Sequence, residues 1–282
     1  MIQVIATTPY TDQKMGTAGL RKKSKVVMQE HYFENFLQSI FNTIDPAGKT
    51  FVVGGDGRFY NSIAIQKLIK MAAANGVKKL IVGQNGFLSS PASSNMILKR
   101  RTDGGFVLSA SHNPGGENGD FGIKFATETG GQCSSLVSDR IFAVSQTISE
   151  FKTVDAADID LSRLGMQNLE GMEIEIVDPI SDYVELMEKI FDFELIKKMF
   201  ADGFTMRFDA MNAVTGPYAI RIFEEILGAA KGSVLNAVPK PDFGGLHPDP
   251  NLVYAKELVN IMYADDAPDF GAANDGDGDR NM

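Results

Sequence analysis

Short apolar runs alternating with helix-period stretches constrain the fold of this chain more than any other feature. Residues 51–53 and 106–108 are apolar runs, and Lys79–Val82 is a third strand-length segment, apolar from Leu80 on. Around them, Phe33, Phe36, Leu37, Ile40, Phe41 and Ile44 recur at spacings of three and four and mark one face of a helix. Ile65, Leu68, Ile69 and Ala72 mark a second helix, which Asn75-Gly76 ends, and Ser90-Pro91 opens a third that runs toward Arg100. Strands exchanged with helices in this way build βαβ units and a mainly parallel sheet covered on both faces.

After a helix over 133–148 the pattern pauses. Residues 149–171 are polar and acidic without a clean period, which predicts a partly irregular excursion, and a strand at 172–177 stops at Asp178-Pro179. The alternation then resumes: a helix over 180–200, a strand at 205–209, a helix at 217–227, a strand at 234–238, a helix through Leu258, and a strand at 269–273. The expected architecture is α/β, with two successive mixed, mainly parallel sheets that carry helices on both faces. One domain is expected over 1–178 and a second over 179–282.

Composition narrows the function. An apolar fraction of 44% suffices for two cores in 282 residues. A net charge of −9 without a basic block argues against a nucleic-acid partner. Cys133 is the only cysteine, so no internal disulfide framework exists. No segment approaches about 20 consecutive apolar residues and the first residues lack a leader pattern, so a cytoplasmic location away from membranes is expected.

Two loops carry the candidate chemistry. In the first, the strand at 106–108 runs through Ser109 and Ala110 to Ser111, followed by His112, Asn113, Pro114 and a glycine-rich turn, with Lys124 at the far side. A hydroxyl, an imidazole and an ammonium converging at a strand end suit phosphoryl chemistry, although a Ser-His pair in such a loop also serves simply to turn the chain. In the second, residues 274–280, Asp275, Asp277 and Asp279 alternate with glycines, so three hard oxygen ligands can turn toward one cation. An EF-hand is excluded, because the sixth position from Asp275 is Arg280 rather than Gly. Near the N-terminus, Gly16, Thr17, Gly19 and Arg21 offer a glycine-rich turn beside cations, suited to a phosphate or to a solvated charge run. The dinucleotide fingerprint fails at Tyr60 and the P-loop at Thr43.

GTAGLRKK, FVVGGDGRFY, IVGQNG, SASHNPGGENGDFGIKF and NDGDGDRNM together resemble the phosphohexomutases, in the phosphoglucomutase and parafusin branch, over the whole chain. The resemblance implies interconversion of glucose 1-phosphate and glucose 6-phosphate through a phosphoserine enzyme and a glucose 1,6-bisphosphate intermediate. It makes Ser111 the phosphoryl carrier and Asp275, Asp277 and Asp279 the Mg²⁺ ligands, which share the ion with the phosphoserine oxygen. His112 and Lys124 are implied in proton transfer, with Lys124 the expected base through a lowered pKa, and Arg21, Thr17 and Arg280 in binding the phosphorylated hexose. Ser109 stands where the family usually has Thr, and Ala18 where Ser is common. The family's third and fourth domains, with their sugar- and phosphate-recognition loops, are absent from this sequence, so weak turnover by this piece is expected.

Two rivals remain to be weighed. A serine hydrolase needs glycines two residues either side of the nucleophile, where this chain has Ser109 and Asn113. A noncatalytic half-mutase that binds metal, a phosphosugar or a protein is the stronger alternative, because loss of substrate positioning alone costs orders of magnitude in rate.

Overall fold

The computed structural model describes residues 1–16 and 18–282. Along the chain, β1 (Ile2–Ala6), β2 (Leu20–Lys23), α1 (Ser24–Val27) and α2 (Tyr32–Ile44) precede β3 (Thr50–Gly55) and α3 (Asn61–Ala74). Next come β4 (Lys79–Phe87), α4 (Ser90–Arg100), β5 (Gly104–Leu108), β6 (Asp120–Thr127) and α5 (Ser135–Ser145). The strands β7 (Glu150–Val154), β8 (Gly165–Leu169) and β9 (Met172–Val177) follow, then α6 (Ser181–Ile190), α7 (Phe193–Ala201) and β10 (Met206–Asp209). The chain continues through α8 (Thr215–Ala219), which runs into a π-helical segment Ile220–Ile226, to β11 (Val234–Leu235), α9 (Lys256–Met262) and β12 (Phe270–Ala273).

Among the described residues the strands form three sheets. The largest has seven strands in the order β2-β6-β5-β3-β4-β9-β8. Its centre, β5-β3-β4-β9, is parallel, while β2, β6 and β8 join antiparallel. A parallel three-stranded sheet, β11-β10-β12, lies in the second half, and β1 pairs with β7 in a separate antiparallel ribbon.

Both faces of the large sheet are covered because consecutive apolar residues of its central strands, Phe51, Val52 and Val53 in β3 and Leu80, Ile81 and Val82 in β4, are all buried. Phe51 and Val53 belong to one core, with Phe33, Phe36 and Leu37 of α2, while Val52 points to the other, with Met96 and Ile97 of α4. Tyr218 of α8 joins that second core. The smaller sheet has its own core of Met206, Phe208, Ala219 and Val234.

The α/β architecture with mixed sheets and helices on both faces is the expected one. Several local expectations are corrected. The excursion over 149–171 contains β7 and β8, and β8 escaped a period reading because most of its residues are exposed. The expected single helix over 180–200 is two helices, broken at Phe191, with the Asp192 side chain accepting from the Leu195 N–H to start α7. The turn expected after residue 82 is a continuation of β4 through an irregular register with β3, and the strand expected at 234–238 shortens to Val234–Leu235.

Candidate active site

The site forms where the ends of parallel strands in the large and small sheets meet. β5 ends at Leu108 and delivers Ser109, Ala110 and Ser111, and β12 ends at Ala273 and delivers the aspartate loop. The Ser111 Oγ donates to Asp275 Oδ2 at 2.6 Å, across 164 residues of chain. Ser111 is nearly buried and holds φ = 55°. A non-glycine residue in that left-handed region carries strain that the surroundings must offset.

Residues outside the expected set supply that offset. The Ser111 N–H donates to Ser109 Oγ at 2.8 Å, and Ser109 Oγ in turn donates to Asp56 Oδ2 at 2.6 Å. The Ser111 carbonyl accepts from Arg58 Nη2 at 2.7 Å. Arg58 and Asp56 are paired at 2.8 Å with both side chains 0% exposed. Burial raises the Asp56 pKa against the opposing pull of Arg58 and Ser109. Both peptide groups of Ser111 are therefore held, directly or through Ser109, by one buried ion pair at the end of β3.

The aspartate loop is built differently. Asp275 Oδ1 accepts the N–H groups of Gly278, Asp279 and Arg280, each at 3.1 Å, which folds the loop on its own first carboxylate. Gly276 is required: a Cβ there would stand 2.5 Å from the Ser111 carbonyl oxygen. Asp277 is bound by Ser90 Oγ and by Lys124 Nζ, and Lys124 also reaches Asp279 Oδ2 at 3.0 Å. Ser90 is placed by α4, whose first turn is capped by Ser89 accepting from the Ala92 N–H.

The three carboxylates fit a hard divalent cation. One oxygen from each of Asp275, Asp277 and Asp279 lies within 4.8 Å of the others. Asp277 Oδ1 is buried without a hydrogen-bond partner among the described residues. Burial, reinforced by the neighbouring Asp277, pushes the Asp275 carboxyl up to about 7, so full ionisation of the cluster is opposed and a bound cation would relieve that opposition. Burial opposes ionisation of Asp277 too, but Lys124 outweighs it and holds that carboxyl below the usual range.

The structure brings Ser111, Lys124, Asp275, Asp277 and Asp279 into one hydrogen-bonded cluster. One expectation is corrected: the Lys124 pKa is not lowered. Burial alone would lower it, but Asp277 and Asp279 override burial and raise it, keeping the ammonium charged. His112 goes the other way. Burial lowers its pKa, and Arg280 and Arg21 lower it further, which favours the neutral ring. Its Nδ1 is buried without a partner among the described residues. Arg21 stands on β2 opposite Gly122 of β6, and burial lowers its own pKa while Asp277 pulls it up. Thr17, expected to bind phosphate, lies outside the described residues.

Comparison with known proteins identifies the family and the fold. The family model for phosphoglucomutase/phosphomannomutase, alpha/beta/alpha domain I, matches residues 12–152, and that for domain II matches residues 181–282. The chain belongs to the phosphoglucomutase/phosphomannomutase family. Within the family it is similar to a phosphoglucomutase of Rhizobium radiobacter, 56% identical over all of this chain and 52% of that protein. A chloroplastic phosphoglucomutase of Brassica napus is 52% identical over all of this chain and 45% of that protein. The open-form crystal structure of the exocytosis-sensitive phosphoprotein parafusin, a phosphoglucomutase from Paramecium, superposes with a TM-score of 0.96. It is 45% identical and covers all of this chain and 54% of that one. The chain thus spans about half the length of the family members it matches.

Proposed function

We propose that this chain is the phosphoserine- and metal-bearing part of a phosphoglucomutase, which interconverts glucose 1-phosphate and glucose 6-phosphate. The observation that carries the reading is the hydrogen bond from Ser111 Oγ to Asp275, because it joins the one strained serine of a strand-end loop to a three-carboxylate cluster. Similarity to phosphoglucomutases over the whole chain supports the sugar.

In this reading Ser111 carries the phosphoryl group. The P–Oγ bond breaks as a bond forms to the free hydroxyl of the bound sugar phosphate, giving glucose 1,6-bisphosphate, and the other phosphate then returns to Ser111. The hydroxyl proton passes to His112, since the Lys124 ammonium is engaged by Asp277 and Asp279, and the Ser111 Oγ, which leaves with the P–O electron pair, takes up a proton in return from the His112 imidazolium. Arg21 and Arg280 stand near enough to His112 to depress its pKa and supply positive charge for a phosphate. Thr17 is retained as a further phosphate contact. Asp275, Asp277, Asp279 and the serine oxygen would hold Mg²⁺, which supplies charge neutralisation for in-line transfer when bound.

The domain division at 178 is retained as a proposal; β9 ends at Val177 and α6 begins at Ser181. Among the described residues no helix is long and apolar enough to cross a membrane. The similar proteins bear both chloroplastic and cytoplasmic names, including a cytoplasmic phosphoglucomutase of Populus tremula, and we retain the cytoplasm as the proposed location.

The test is retention of label after incubation with glucose 1,6-bisphosphate radiolabelled in both phosphates. Label that stays on the protein with Mg²⁺, and does not arrive in chelator, supports phosphoryl transfer. Binding of the bisphosphate without retained label would favour the noncatalytic binding module instead.

A further inference from the structure

Arg58 uses all five of its in-plane donors inside the protein: Nε on Asp56, Nη1 on the Asp120 carbonyl at 2.8 Å and the Asn113 carbonyl at 3.4 Å, and Nη2 on Asp56 and the Ser111 carbonyl. What remains of the guanidinium is its two flat faces. Phe243 covers one of them, with its ring centroid 5.2 Å from the guanidinium carbon.

Phe243 is an unusual phenylalanine. It is 0% exposed, yet it joins none of the apolar core clusters found among the described residues. Its φ of 54° is itself left-handed, held in a short 3₁₀ turn that the Asp242 side chain opens by accepting from the Gly244 N–H. Such a burial is not explained by core formation. The ring sits where three loops meet. A Cβ on Gly115 of the serine loop would come 2.8 Å from it, and a Cβ on Gly276 of the aspartate loop would come 3.3 Å from both its Cζ and Arg58 Nη2.

The same loop holds the backbone just after Arg58 and, five residues beyond Ser111, in the glycine-rich turn of the serine loop. The Pro241 carbonyl accepts from the Phe59 N–H at 2.8 Å and from the Gly116 N–H at 3.1 Å. The loop belongs to the second half of the chain, tied to it by the Lys240 N–H donating to the Asn212 carbonyl at 2.9 Å.

We propose that Phe243 is a positioning residue for Ser111: from the second half of the chain its ring caps the guanidinium that grips the Ser111 carbonyl, so the nucleophile is fixed only when the two halves are seated together. Removing the flat cover opens one face of Arg58 to water and loosens its hold on the Ser111 carbonyl. The left-handed Ser111 then relaxes, and the Oγ leaves its line with Asp275. The link to transfer rests on the phosphoryl-transfer reading above; the structural part does not.

Phe243→Leu keeps most of the apolar volume and removes the aromatic face, and Phe243→Ala removes both. A tyrosine is unsuitable because the ring's para position already faces Gly276. Hydrogen exchange of the peptide covering residues 106–116 is compared with that of α2, and phosphate arrival at Ser111 is followed at several glucose 1,6-bisphosphate concentrations. In Phe243→Leu, exchange in the serine loop is expected to speed up about tenfold while α2 stays at the wild-type rate. The maximal rate of phosphate arrival is expected to fall about tenfold, with the half-saturating concentration changed less than about twofold.

Unchanged exchange in the serine loop overturns the proposal. So does faster exchange accompanied by a wild-type transfer rate, since the ring would then pack the loop without positioning the nucleophile. If the wild-type chain takes up no phosphate, the transfer reading fails, and the exchange comparison alone still decides whether Phe243 fixes the serine loop.

Discussion

The serine loop and the aspartate loop meet at one hydrogen bond, but they are held in opposite ways. Ser111 depends on residues more than fifty positions away in sequence: Arg58 on its carbonyl, and Asp56 through Ser109 on its N–H. The aspartate loop makes its turn largely by itself, with Asp275 accepting three N–H groups from the five residues that follow and Asn274 donating to the Arg280 carbonyl at 2.8 Å, while Ser90 and Lys124 reach its carboxylates from outside. A strained nucleophile needs a rigid external mount, because nothing local favours φ = 55° at a serine. A cluster of carboxylates needs only a tight turn that aims its oxygens together, and the repulsion it accumulates is relieved by the ligand it binds. Distant substitutions should therefore reach the first loop and spare the second.

The largest effect is expected from Arg58→Met. It leaves the Asp56 charge buried and unpaired and frees the Ser111 carbonyl, so stability in urea should fall by about 3–5 kcal/mol. A loss below about 1 kcal/mol would mean that the ion pair is not the mount. Ser109→Ala should come next. It takes the partner from the Ser111 N–H and one of the donors from Asp56 Oδ2, which keeps Arg58, and a cost of about 1–3 kcal/mol in urea is expected.

The aspartate loop is probed by Asp277→Asn, read by calorimetric titration with Mg²⁺. Its affinity should drop at least about tenfold, near 1.4 kcal/mol, while hydrogen exchange over residues 106–116 stays at the wild-type rate. Exchange that rises along with the affinity loss would show the two loops to be one mechanical unit, against the contrast drawn above.

The smallest effect belongs to a site that touches neither loop. Asp182 of α6 accepts from Lys99 at 2.7 Å and Arg100 at 3.0 Å at the far end of α4. Burial works against its ionisation, but these two cations outweigh burial and hold its pKa below the ordinary range. A depressed carboxylate adds stability that is fully present above the unfolded value of about 4 and is lost as pH falls through the folded value. Asp182→Asn should thus cost under about 1 kcal/mol at neutral pH, a gap that closes on acidification, with no change in Mg²⁺ affinity.

This contrast also explains what the sequence disclosed. The aspartate loop is legible because the residues that make its turn and bring its three carboxylates together lie within 274–280, although Ser90 and Lys124, which bind two of those carboxylates, do not. The serine was legible as a strand-end residue, and α2 and α4 were legible from periodicity and the Ser-Pro start. The mount was not. Asp56 and Arg58 sit in a glycine-rich turn, where charges ordinarily face water, and only the folded sheet reveals that both are sealed. Lys124 was misjudged for the same reason: its pKa is decided by Asp277 and Asp279, more than 150 residues away. Phe243 gave no signal, since a lone Phe in a Pro/Gly loop has no period. The edge strand β8 is not legible because most of its residues are exposed, and β7 because its two buried residues, Phe151 and Val154, are separated by polar ones, whereas the Asp192 cap between α6 and α7 is a signal present in the sequence.

The central claim is that Ser111, mounted by Arg58 and aimed at the aspartate cluster, receives the phosphoryl group. Intact mass before and after incubation with glucose 1,6-bisphosphate and Mg²⁺, followed by peptide mapping, tests it most directly. A single added phosphate on Ser111, absent in Ser111→Ala, is the predicted result. A phosphate mapped to any other residue, or none on this chain under conditions where a full-length phosphoglucomutase takes one up, would contradict it.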